Sequence, residues 1–438
     1  MMTKTVVILF LSAASMAQTI LVGPRDSEAY SFAESQADGS STFAERKLFK
    51  ALVQAAQLAN QAGPQTVIVK VAAGAYTGKA NMGIWMVPQL TNPEAKLHIL
   101  GGYDDQYKQR NPFTNLVNLV TSEGRNGAFL QFAKKSEIGE LVISGLVFDA
   151  APSNKYDAKT NSILKGTSRT YNMISFSQLK TQHLVVDSNV FINGSHGAFD
   201  PFIMPADANA TIDITNNFFI NNIKTLKTEA SSNRGAVVKT MRFANNSFIL
   251  NWPYNPDPTS GEVSCINLYH KGGAAAVVFD HNLFAFNPGG AMQHDWPEDR
   301  MPALTLKQNL FFMNAGLFGD GKPDAGVFAG KFGTNPKYLL CDLITIEDDF
   351  SYTCSGNQAF EPKIPITLSD LQGADSTQVQ RKDTVLNDIR RLFGLNQDGG
   401  TVAIANYAPS MTFNPQQIPL PTEAKAKPYG VQIDQHFQ

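Results

Sequence analysis

The chain has 438 residues and a formal net charge of −2, and only 17% of its residues are Asp, Glu, Lys or Arg, against roughly 25% in an average soluble domain. This balance argues against a nucleic-acid-binding protein, which needs clustered positive charge. The only long apolar run lies at the N-terminus, which argues against several membrane spans. Hydrophobic residues make up 43% of the chain, so it is not a disordered protein. Phe, at 29, and Asn, at 33, are in surplus.

The first segment has the pattern of an export signal. Lys4 gives a short positive region, residues 6–11 are apolar, and Ser15-Met16-Ala17 is a small-x-small cleavage site. We expect residues 1–17 to be removed after Ala17 and the mature protein to be secreted, periplasmic or held at the cell surface. A buried first strand is the alternative interpretation.

Residues 18–64 are predicted to form an N-terminal extension that ends in a capping helix. Thr42-Phe-Ala-Glu45 has the pattern of a capping box, and Gly63-Pro64 ends the helical pattern. The apolar residues at helical spacing are Leu48, Leu52, Ala55 and Ala59. Such a helix should cover the open end of the structure that follows, because an uncovered sheet edge invites aggregation.

A repeat occupies the middle of the chain. Five segments align without gaps around an Asn-x-Phe motif, at Asn189/Phe191, Asn217/Phe219, Asn246/Phe248, Asn282/Phe284 and Asn309/Phe311. Four of them add a second Asn, at Asn222, Asn251, Asn287 and Asn314. A sixth copy keeps Phe148 without the Asn, and successive Phe residues are 43, 28, 29, 36 and 27 positions apart. One turn of the repeat therefore takes about 28 residues, with insertions in two turns.

The repeat predicts an all-β solenoid. Apolar and polar residues alternate within each copy, which is strand periodicity, and a fixed period with loop insertions is typical of stacked coils. We expect a right-handed parallel β-helix over residues 65–335, with about nine coils of two or three strands each. The recurring Asn residues should form amide ladders in the turns, and the recurring Phe residues should stack inside. Chance recurrence in an Asn- and Phe-rich chain is the alternative.

The repeat fades after residue 335. Residues 336–438 are predicted to form a C-terminal cap and a tail that pack along or over the far end of the solenoid, with an amphipathic helix at residues 381–393. Cys341 and Cys354 lie in a polar, loop-like stretch and are compatible with a disulfide. Cys265 is predicted to be a buried free thiol in a strand. No Cys and His spacing resembles a zinc site.

Three groups of residues carry a resemblance to a known fold family. They are Lys70-Val-Ala-Ala-Gly-Ala-Tyr76, Leu100-Gly-Gly-Tyr-Asp-Asp105 with Arg110-Asn-Pro112, and the Asn-x-Phe copies up to residue 314. The chain resembles the pectate-lyase-like superfamily of right-handed parallel β-helix proteins over residues 40–335. That superfamily includes polysaccharide lyases, glycoside hydrolases, uronate epimerases and non-enzymatic adhesins, so the resemblance implies a fold and does not choose an activity. None of their catalytic motifs matches residue by residue.

The densest ionisable group lies at residues 294–300, between two copies of the repeat. Its candidate metal ligands are Asp295, Glu298 and Asp299. Their hard oxygens suit Ca²⁺, which is the one cofactor expected. His294 is a candidate acid or base, and Trp296 and Arg300 are candidates for contact with a sugar. The alternative is a solvated turn whose charges keep it out of the core.

Basic residues around the third Asn-x-Phe copy form a second candidate site. Strand alternation places Arg234 and Arg242 on one face and Lys239 on the other. Arg234 and Arg242 are candidates to bind an anionic sugar, and Lys239 is a weaker candidate for a base. The alternative is that each arginine pairs with a carboxylate of a neighbouring coil.

Two more pairs complete the candidate residues. They are His196 with Asp200, and His270 with Lys271. With coils about 28 residues long, His270, Arg242 and His294 occupy comparable positions in successive coils and could line one groove. Structural roles for these histidines are the alternative.

These features predict a protein that binds an extended acidic polysaccharide or a cell-surface glycan. The enzymatic hypothesis is cleavage by β-elimination, in which Arg234 and Arg242 neutralise the uronate and Lys239, His270 or Lys271 acts as base. Ca²⁺ would assist. The rival hypothesis is a non-catalytic adhesin or surface-structure module. Neither nucleic acid nor a membrane span is expected, and no oligomeric state is predicted.

Overall fold

The structure is a computed structural model. It describes residues 17–77, 85–120, 128–150, 156–157, 162–163, 172–194, 198–200, 203–222, 225–227, 238–251, 265–268, 274–287, 291–294, 303–312, 331–332, 335–336, 352–360, 413–414 and 429–433. Within these residues the chain is mostly β, with two helices, α1 (Glu28–Gln36) and α2 (Leu48–Ala59). In this described part, neither helix is long and apolar enough to cross a membrane.

The strands follow one another closely along the chain. The first are β1 (Gln18–Val22), β2 (Thr42–Glu45), β3 (Thr66–Ala72), β4 (Gly74–Thr77), β5 (Trp85–Val87), β6 (Thr91–Tyr103), β7 (Val117–Val120), β8 (Leu130–Phe132), β9 (Glu137–Ser144) and β10 (Val147–Asp149). Next come β11 (Tyr156–Asp157), β12 (Ser162–Ile163), β13 (Ile174–Ser175), β14 (Leu179–Asp187), β15 (Val190–Ile192), β16 (Phe199–Asp200), β17 (Ile203–Pro205), β18 (Thr211–Thr215), β19 (Phe218–Ile220), β20 (Leu226–Lys227), β21 (Val238–Ala244) and β22 (Ser247–Ile249). The last described strands are β23 (Ile266–Leu268), β24 (Ala274–Asp280), β25 (Leu283–Ala285), β26 (Met292–His294), β27 (Ala303–Lys307), β28 (Leu310–Phe312), β29 (Lys331–Phe332), β30 (Asn335–Pro336), β31 (Tyr352–Ser355) and β32 (Gln358–Phe360).

Three sheets contain all of these strands except β11 and β12, which form a separate two-stranded sheet. Sheet A has the order β2-β1-β3-β6-β9-β14-β18-β21-β24-β27-β31, with β17 also paired to β14. Sheet B has the order β4-β7-β10-β15-β19-β22-β25-β28-β32, and sheet C has β5-β8-β13-β16-β20-β23-β26-β29-β30. The described strands pair in parallel, except in the antiparallel pairs β11–β12 and β29–β30.

The chain visits the three sheets in the same order again and again. From β3 onward, a strand of sheet A is followed by one of sheet B and then one of sheet C, and sheet A receives nine strands in this way within the described residues. The architecture is mostly β and built from parallel sheets, and it is consistent with the predicted all-β solenoid of about nine coils.

The register of sheet B confirms the gap-free alignment of the repeat. The six Phe residues that stand opposite one another are Phe148, Phe191, Phe219, Phe248, Phe284 and Phe311. Their rings stack with centroids between 4.7 and 5.1 Å apart and nearly parallel planes. All six are buried in the main hydrophobic cluster. Part of the Phe surplus is therefore explained by one continuous column of rings in the interior.

The Asn residues form the predicted ladders. The first ladder contains Asn189, Asn217, Asn246, Asn282, Asn309 and Asn357, and each Nδ2 donates to the next Oδ1 at 2.9 to 3.1 Å. A second ladder joins Asn222, Asn251 and Asn287. The predicted fourth member, Asn314, lies outside the described residues. Buried amides need partners, and the ladders supply them at every described step.

A left-handed residue marks each turn from sheet A to sheet B. Ser188, Asn216, Asn245, His281 and Gln308 have φ values between 51 and 55°. This conformation is uncommon outside glycine and is visited most readily by Asn and Asp. The turn therefore selects residue type at one position, and the next residue is the buried Asn of the first ladder.

The N-terminal segment differs from the prediction at one point. Thr42–Glu45 is strand β2, not a capping box, because it pairs in parallel with β1 and so joins sheet A. Helix α2 begins at Leu48 after Lys47, whose side chain makes no capping hydrogen bond. The apolar face is confirmed, since Leu48, Leu52, Ala55 and Ala59 are all buried. Helix α2 contacts β3 and the terminal strand β5 of sheet C, as expected of a helix that covers this end.

The repeat continues further than predicted. Strands β31 and β32 pair with β27 and β28, so sheets A and B extend beyond residue 335 to Phe360. Cys354 lies in β31 rather than in a loop, while Cys341, residues 381–393 and the signal segment 1–16 lie outside the described residues. Cys265 is a buried free thiol as predicted, and burial raises its pKa to about 12.

Candidate functional site

The outer face of sheet A carries ionisable residues on five neighbouring strands. These residues, called here the charged row, are Lys96 and His98 on β6, Glu140 on β9, His183 on β14, Asp213 on β18 and Arg242 on β21. Strand register places Lys96 opposite Glu140, Glu140 opposite His183, and Asp213 opposite Arg242. Their neighbours along each strand point into the core, because side chains alternate between the faces of a sheet.

The side chains of the charged row form one connected network. His98 Nε2 lies 2.6 Å from Glu140 Oε1, and His183 Nδ1 lies 3.5 Å from Glu140 Oε2. The other ring nitrogen of His183, Nε2, lies 2.9 Å from Asp213 Oδ2. At the two ends, Lys96 Nζ is 3.9 Å from Glu140 Oε2, and Arg242 Nη1 is 3.9 Å from Asp213 Oδ1. Cations and carboxylates thus alternate across the strands.

The contacts within the network shift the pKa values of two of its members, His183 and Glu140. The hydrogen bond to Asp213 raises the pKa of His183, the contacts with Glu140 add to the rise, and partial burial opposes it. Burial alone would raise the pKa of Glu140, but the hydrogen bond and charge of His98, with Lys96 and His183, lower it overall. Both shifts favour the charged forms of His183 and Glu140 relative to the free side chains.

Exposure separates the two signs of charge. The side chains of Lys96 and Arg242 are 53% and 43% exposed, against 24% for Glu140 and 30% for Asp213. The carboxylates therefore lie deeper and the cationic ends lie further out. A separate pair on the same face, Lys180 and Glu137, is joined at 2.7 Å.

A second polar network lies where sheet A turns into sheet B. Arg110 Nε donates to the backbone oxygen of Gly101 at 2.9 Å, and its terminal guanidinium nitrogen donates to Ser144 Oγ. Ser144 Oγ and Thr215 Oγ1 both donate to the carboxylate of Asp187, at 3.0 and 2.7 Å. Burial lowers the pKa of Arg110. This enclosed network fastens a loop to three coils and presents no open cationic surface.

Two predicted site residues have described side chains. Arg242 belongs to the charged row, and its pairing with Asp213 is the neighbouring-coil ion pair that was the alternative interpretation. Lys239 is exposed on the same strand. The prediction that they lie on opposite faces is wrong. Alternation breaks at Lys239 and Thr240, which both point outward between the buried residues Val238 and Met241. Arg242 also points outward, so it lies on the same face as Lys239.

The other predicted site residues cannot be placed by their side chains. Asp200 lies in β16 and His294 in β26, both in sheet C. Because Arg242 lies in β21 of sheet A, the prediction that Arg242 and His294 occupy comparable positions in successive coils is wrong. The rest lie outside the described residues, and they are His196, Arg234, His270, Lys271, Asp295, Trp296, Glu298, Asp299 and Arg300. Among the described residues, no group of three or more His, Cys, Asp or Glu is arranged to hold a metal ion.

Sequence reasoning missed five members of the charged row: Lys96, His98, Glu140, His183 and Asp213. Their signal was present in the repeat, because the alignment that places Phe191 beside Phe219 also places Asp213 beside Arg242. His183 and Glu140 stand two residues before the first residues of their own copies. Opposite charges at matched outward positions of adjacent coils are the pattern that identifies such a row.

The charged row can bind an anion through its exposed cations. The exposed ends of Lys96 and Arg242 can contact an anion while Glu140 and Asp213 hold them in place. The chain matches no protein-family model, no curated protein and no solved structure.

Proposed function

We propose that this protein is a secreted right-handed parallel β-helix, similar to the pectate-lyase-like superfamily, that binds an extended acidic polysaccharide across the strands of sheet A. The handedness follows from the general rule that crossovers between parallel strands of one sheet are right-handed. The repeated A-B-C order of strands and the buried Asn ladders support the β-helix.

The charged row carries the functional proposal. Its two exposed cations, Lys96 and Arg242, lie on the first and last of five neighbouring strands of one face, and successive strands lie about 4.8 Å apart. An extended polymer that crosses these strands meets Lys96 and Arg242 at its anionic groups, while Glu140, His183 and Asp213 keep those cations oriented. Preorganised cations lose less conformational freedom on binding than free ones do.

Binding without cleavage is the role of an adhesin or a surface-structure module. Two observations favour this role over catalysis. Each described carboxylate of the row is already partnered by a cation of the row. The stacked Phe column and the Asn ladders also tie coil to coil over a long distance, which suits a rigid rod.

Cleavage by β-elimination is the second candidate function. It is favoured by Lys239 and Arg242, which both point outward from β21. In this version Arg242, with Arg234, neutralises the uronate, and Lys239, His270 or Lys271 removes the proton. Ca²⁺ held by Asp295, Glu298 and Asp299 would assist by the same neutralisation.

Titration of the purified chain with polygalacturonate, alginate and a glycosaminoglycan tests both candidates. We expect calorimetry to detect binding of at least one polymer that weakens with added salt, because exposed charges are screened. Ultraviolet absorbance reports an unsaturated uronate product, with Ca²⁺ and with a chelator in separate runs. Rising absorbance would assign the lyase reaction, and absence of binding to all three polymers refutes the proposal.

A further inference from the structure

The outer face of sheet B is apolar and yet buried. Six of its strands, β10, β15, β19, β22, β25 and β28, send their middle Phe into the interior column, so the flanking residues point the other way. These outward residues, all at most 2% exposed, include Val190, Ile192, Phe218, Ile220, Ile249, Leu283, Ala285 and Leu310. They do not belong to the interior cluster. Something other than the core therefore covers this face.

Residues near the C-terminus supply part of that cover. Phe413 packs on Phe218 with ring centroids 5.4 Å apart. Further along, Tyr429 and Val431 are buried, and Tyr429 lies against the ring of His281 at 6.4 Å between centroids. Contacts so far apart in sequence show that the described residues 413 and 429–432 pack against coils of the sheets.

Three successive backbone amides of this segment bind three successive coils. Gly430 N–H donates to the backbone oxygen of His281 at 2.8 Å, and Val431 N–H donates to Ser247 Oγ at 3.0 Å. Gln432 N–H donates to Asn216 Oδ1 at 2.7 Å. We call the acceptor positions Asn216, Ser247 and His281 the turn groove.

Contacts within the coils orient two side chains of the turn groove. Asn216 Nδ2 donates to Ser188 Oγ at 3.1 Å, which leaves Oδ1 as the acceptor for Gln432. The His281 ring is held by Asp280 at 2.6 Å. With the segment in place, Asn216 and Ser247 are at most 5% exposed. A fixed row of acceptors beside an apolar face is how folded proteins bind extended peptides.

Close packing around Gly430 restricts which residue can occupy this position of the segment. Gly430 has φ +71°, and a Cβ there would lie 2.5 Å from Ser247 Oγ and 3.0 Å from Leu283 Cβ. The site therefore disfavours any residue larger than glycine at this position of the segment. Such a requirement describes a ligand site more than a passive surface.

We propose that the turn groove is a peptide-binding site, and that residues 429–432 of this chain are its ligand and cover part of the apolar outer face of sheet B. The segment binds as a separable ligand. A peptide of the same sequence therefore binds in trans when the chain's own segment is released.

The test compares three full-length proteins: native, Gly430→Ala and Gly39→Ala. Gly39 has φ +72°, and a Cβ added there would meet no atom within 4 Å, so its variant carries the same backbone strain without the clash. We expect Gly430→Ala to speed hydrogen exchange at the amides of residues 430–432 at least about tenfold, a change of 1.4 kcal/mol, and to increase binding of an apolar fluorescent dye. Gly39→Ala should change neither.

The trans experiment adds a synthetic peptide with the sequence of residues 428–438 to the Gly430→Ala protein. We expect the peptide to displace the dye and its Gly→Ala version to leave the dye bound. If Gly430→Ala does not fold, Val431→Asp, which places a charge at a buried position of the segment and leaves the groove residues unchanged, replaces it. Unchanged exchange at residues 430–432, or dye that the native peptide does not displace, overturns the proposal.

Discussion

His183 Nε2 lies 2.9 Å from Asp213 Oδ2, across the pairing of β14 with β18. The other nitrogen of the same ring faces Glu140, so one imidazole joins three coils on the outer face of sheet A. Because the neighbours of these residues are core residues, the position of the ring depends on the register of the whole solenoid. The charged row is therefore a product of the repeat.

The His183–Asp213 contact predicts a pH-dependent stability. The pKa of His183 is raised above its ordinary value of 6.5 in the folded chain, so its contribution is fully present below about pH 6.5 and is lost as the pH rises through the raised value. We expect the melting-temperature advantage of the native protein over His183→Gln to shrink as the pH rises above about 6.5. Thermal unfolding across a pH series measures it.

The cause of that shift can be tested directly. Asp213→Asn removes its largest cause and should lower the pKa of His183 in a proton NMR titration. Asp105→Asn, at an exposed loop position, is the matched control and should leave that titration unchanged. A His183 pKa below 6.5 in the native protein is the outcome that this account does not allow.

The middle of the Asn ladder should be more sensitive than its end. Asn246 Nδ2 donates to the Ile214 oxygen and to Asn282 Oδ1, while its Oδ1 accepts from the backbone and side chain of Asn217. Asn246→Ala leaves several buried polar groups without partners, at about 1–3 kcal/mol each. We expect a loss of at least about 3 kcal/mol in unfolding free energy from urea denaturation.

Asn357 is the matched control for the ladder. It ends the described ladder and is only half-buried, so water can replace the bonds that Asn357→Ala removes. Its loss should be clearly smaller than that of Asn246→Ala. Equal losses at the two positions would show that the ladder bonds do not carry the stability assigned to them.

The Phe column predicts a large cavity effect. Phe248 stacks on Phe219 at 4.7 Å and on Phe284 at 4.8 Å, and it is fully buried. Phe248→Ala should destabilise the protein by about 3–5 kcal/mol. Met86→Ala, at an exposed apolar position, should change stability by about 0.5 kcal/mol or less. Chemical denaturation of both variants decides, and a small effect at Phe248 counts against a packed column.

The N-terminus of helix α2 can be improved. Lys47 occupies the capping position in an extended conformation without a capping hydrogen bond, and its positive charge opposes the helix dipole. Lys47→Asp should stabilise the protein by about 0.5–2 kcal/mol. Lys47→Ala removes the charge without supplying an acceptor and should gain less. Melting temperatures compare the two, and equal gains would mean that the cap itself contributes nothing.

The repeat made the interior of the fold predictable. The gap-free alignment of Asn-x-Phe copies reproduced the strand register, since Phe191, Phe219 and Phe248 do stand opposite one another. The spacing of the copies is enough to predict the strand register here, because each coil buries the same positions of the repeat. Beyond residue 335 the prediction failed, since Ala359 replaces the Phe opposite Phe311, although Asn357 continues the ladder.

Local patterns misled where long-range pairing decides. Thr42-Phe-Ala-Glu45 satisfies the spacing of a capping box, but it also alternates polar and apolar residues, and pairing with β1 selects the strand. Helix α1 buries only Ala29 and Ala33, which is too weak a pattern to notice. To predict the charged row from the sequence, outward positions of neighbouring coils must be compared across insertions. Glu140 and His183, for example, are 43 positions apart in sequence and stand opposite each other.

The affinity of the chain for an acidic polymer tests the central claim most directly. Calorimetric titration should compare the native protein, a Lys96→Ala/Arg242→Ala variant of the charged row, and a Lys50→Ala/Lys108→Ala control that removes equal charge from exposed positions elsewhere. We predict that the row variant binds about tenfold more weakly, a difference of 1.4 kcal/mol, while the control binds like the native protein. Equal affinity of the row variant and the native protein contradicts the claim.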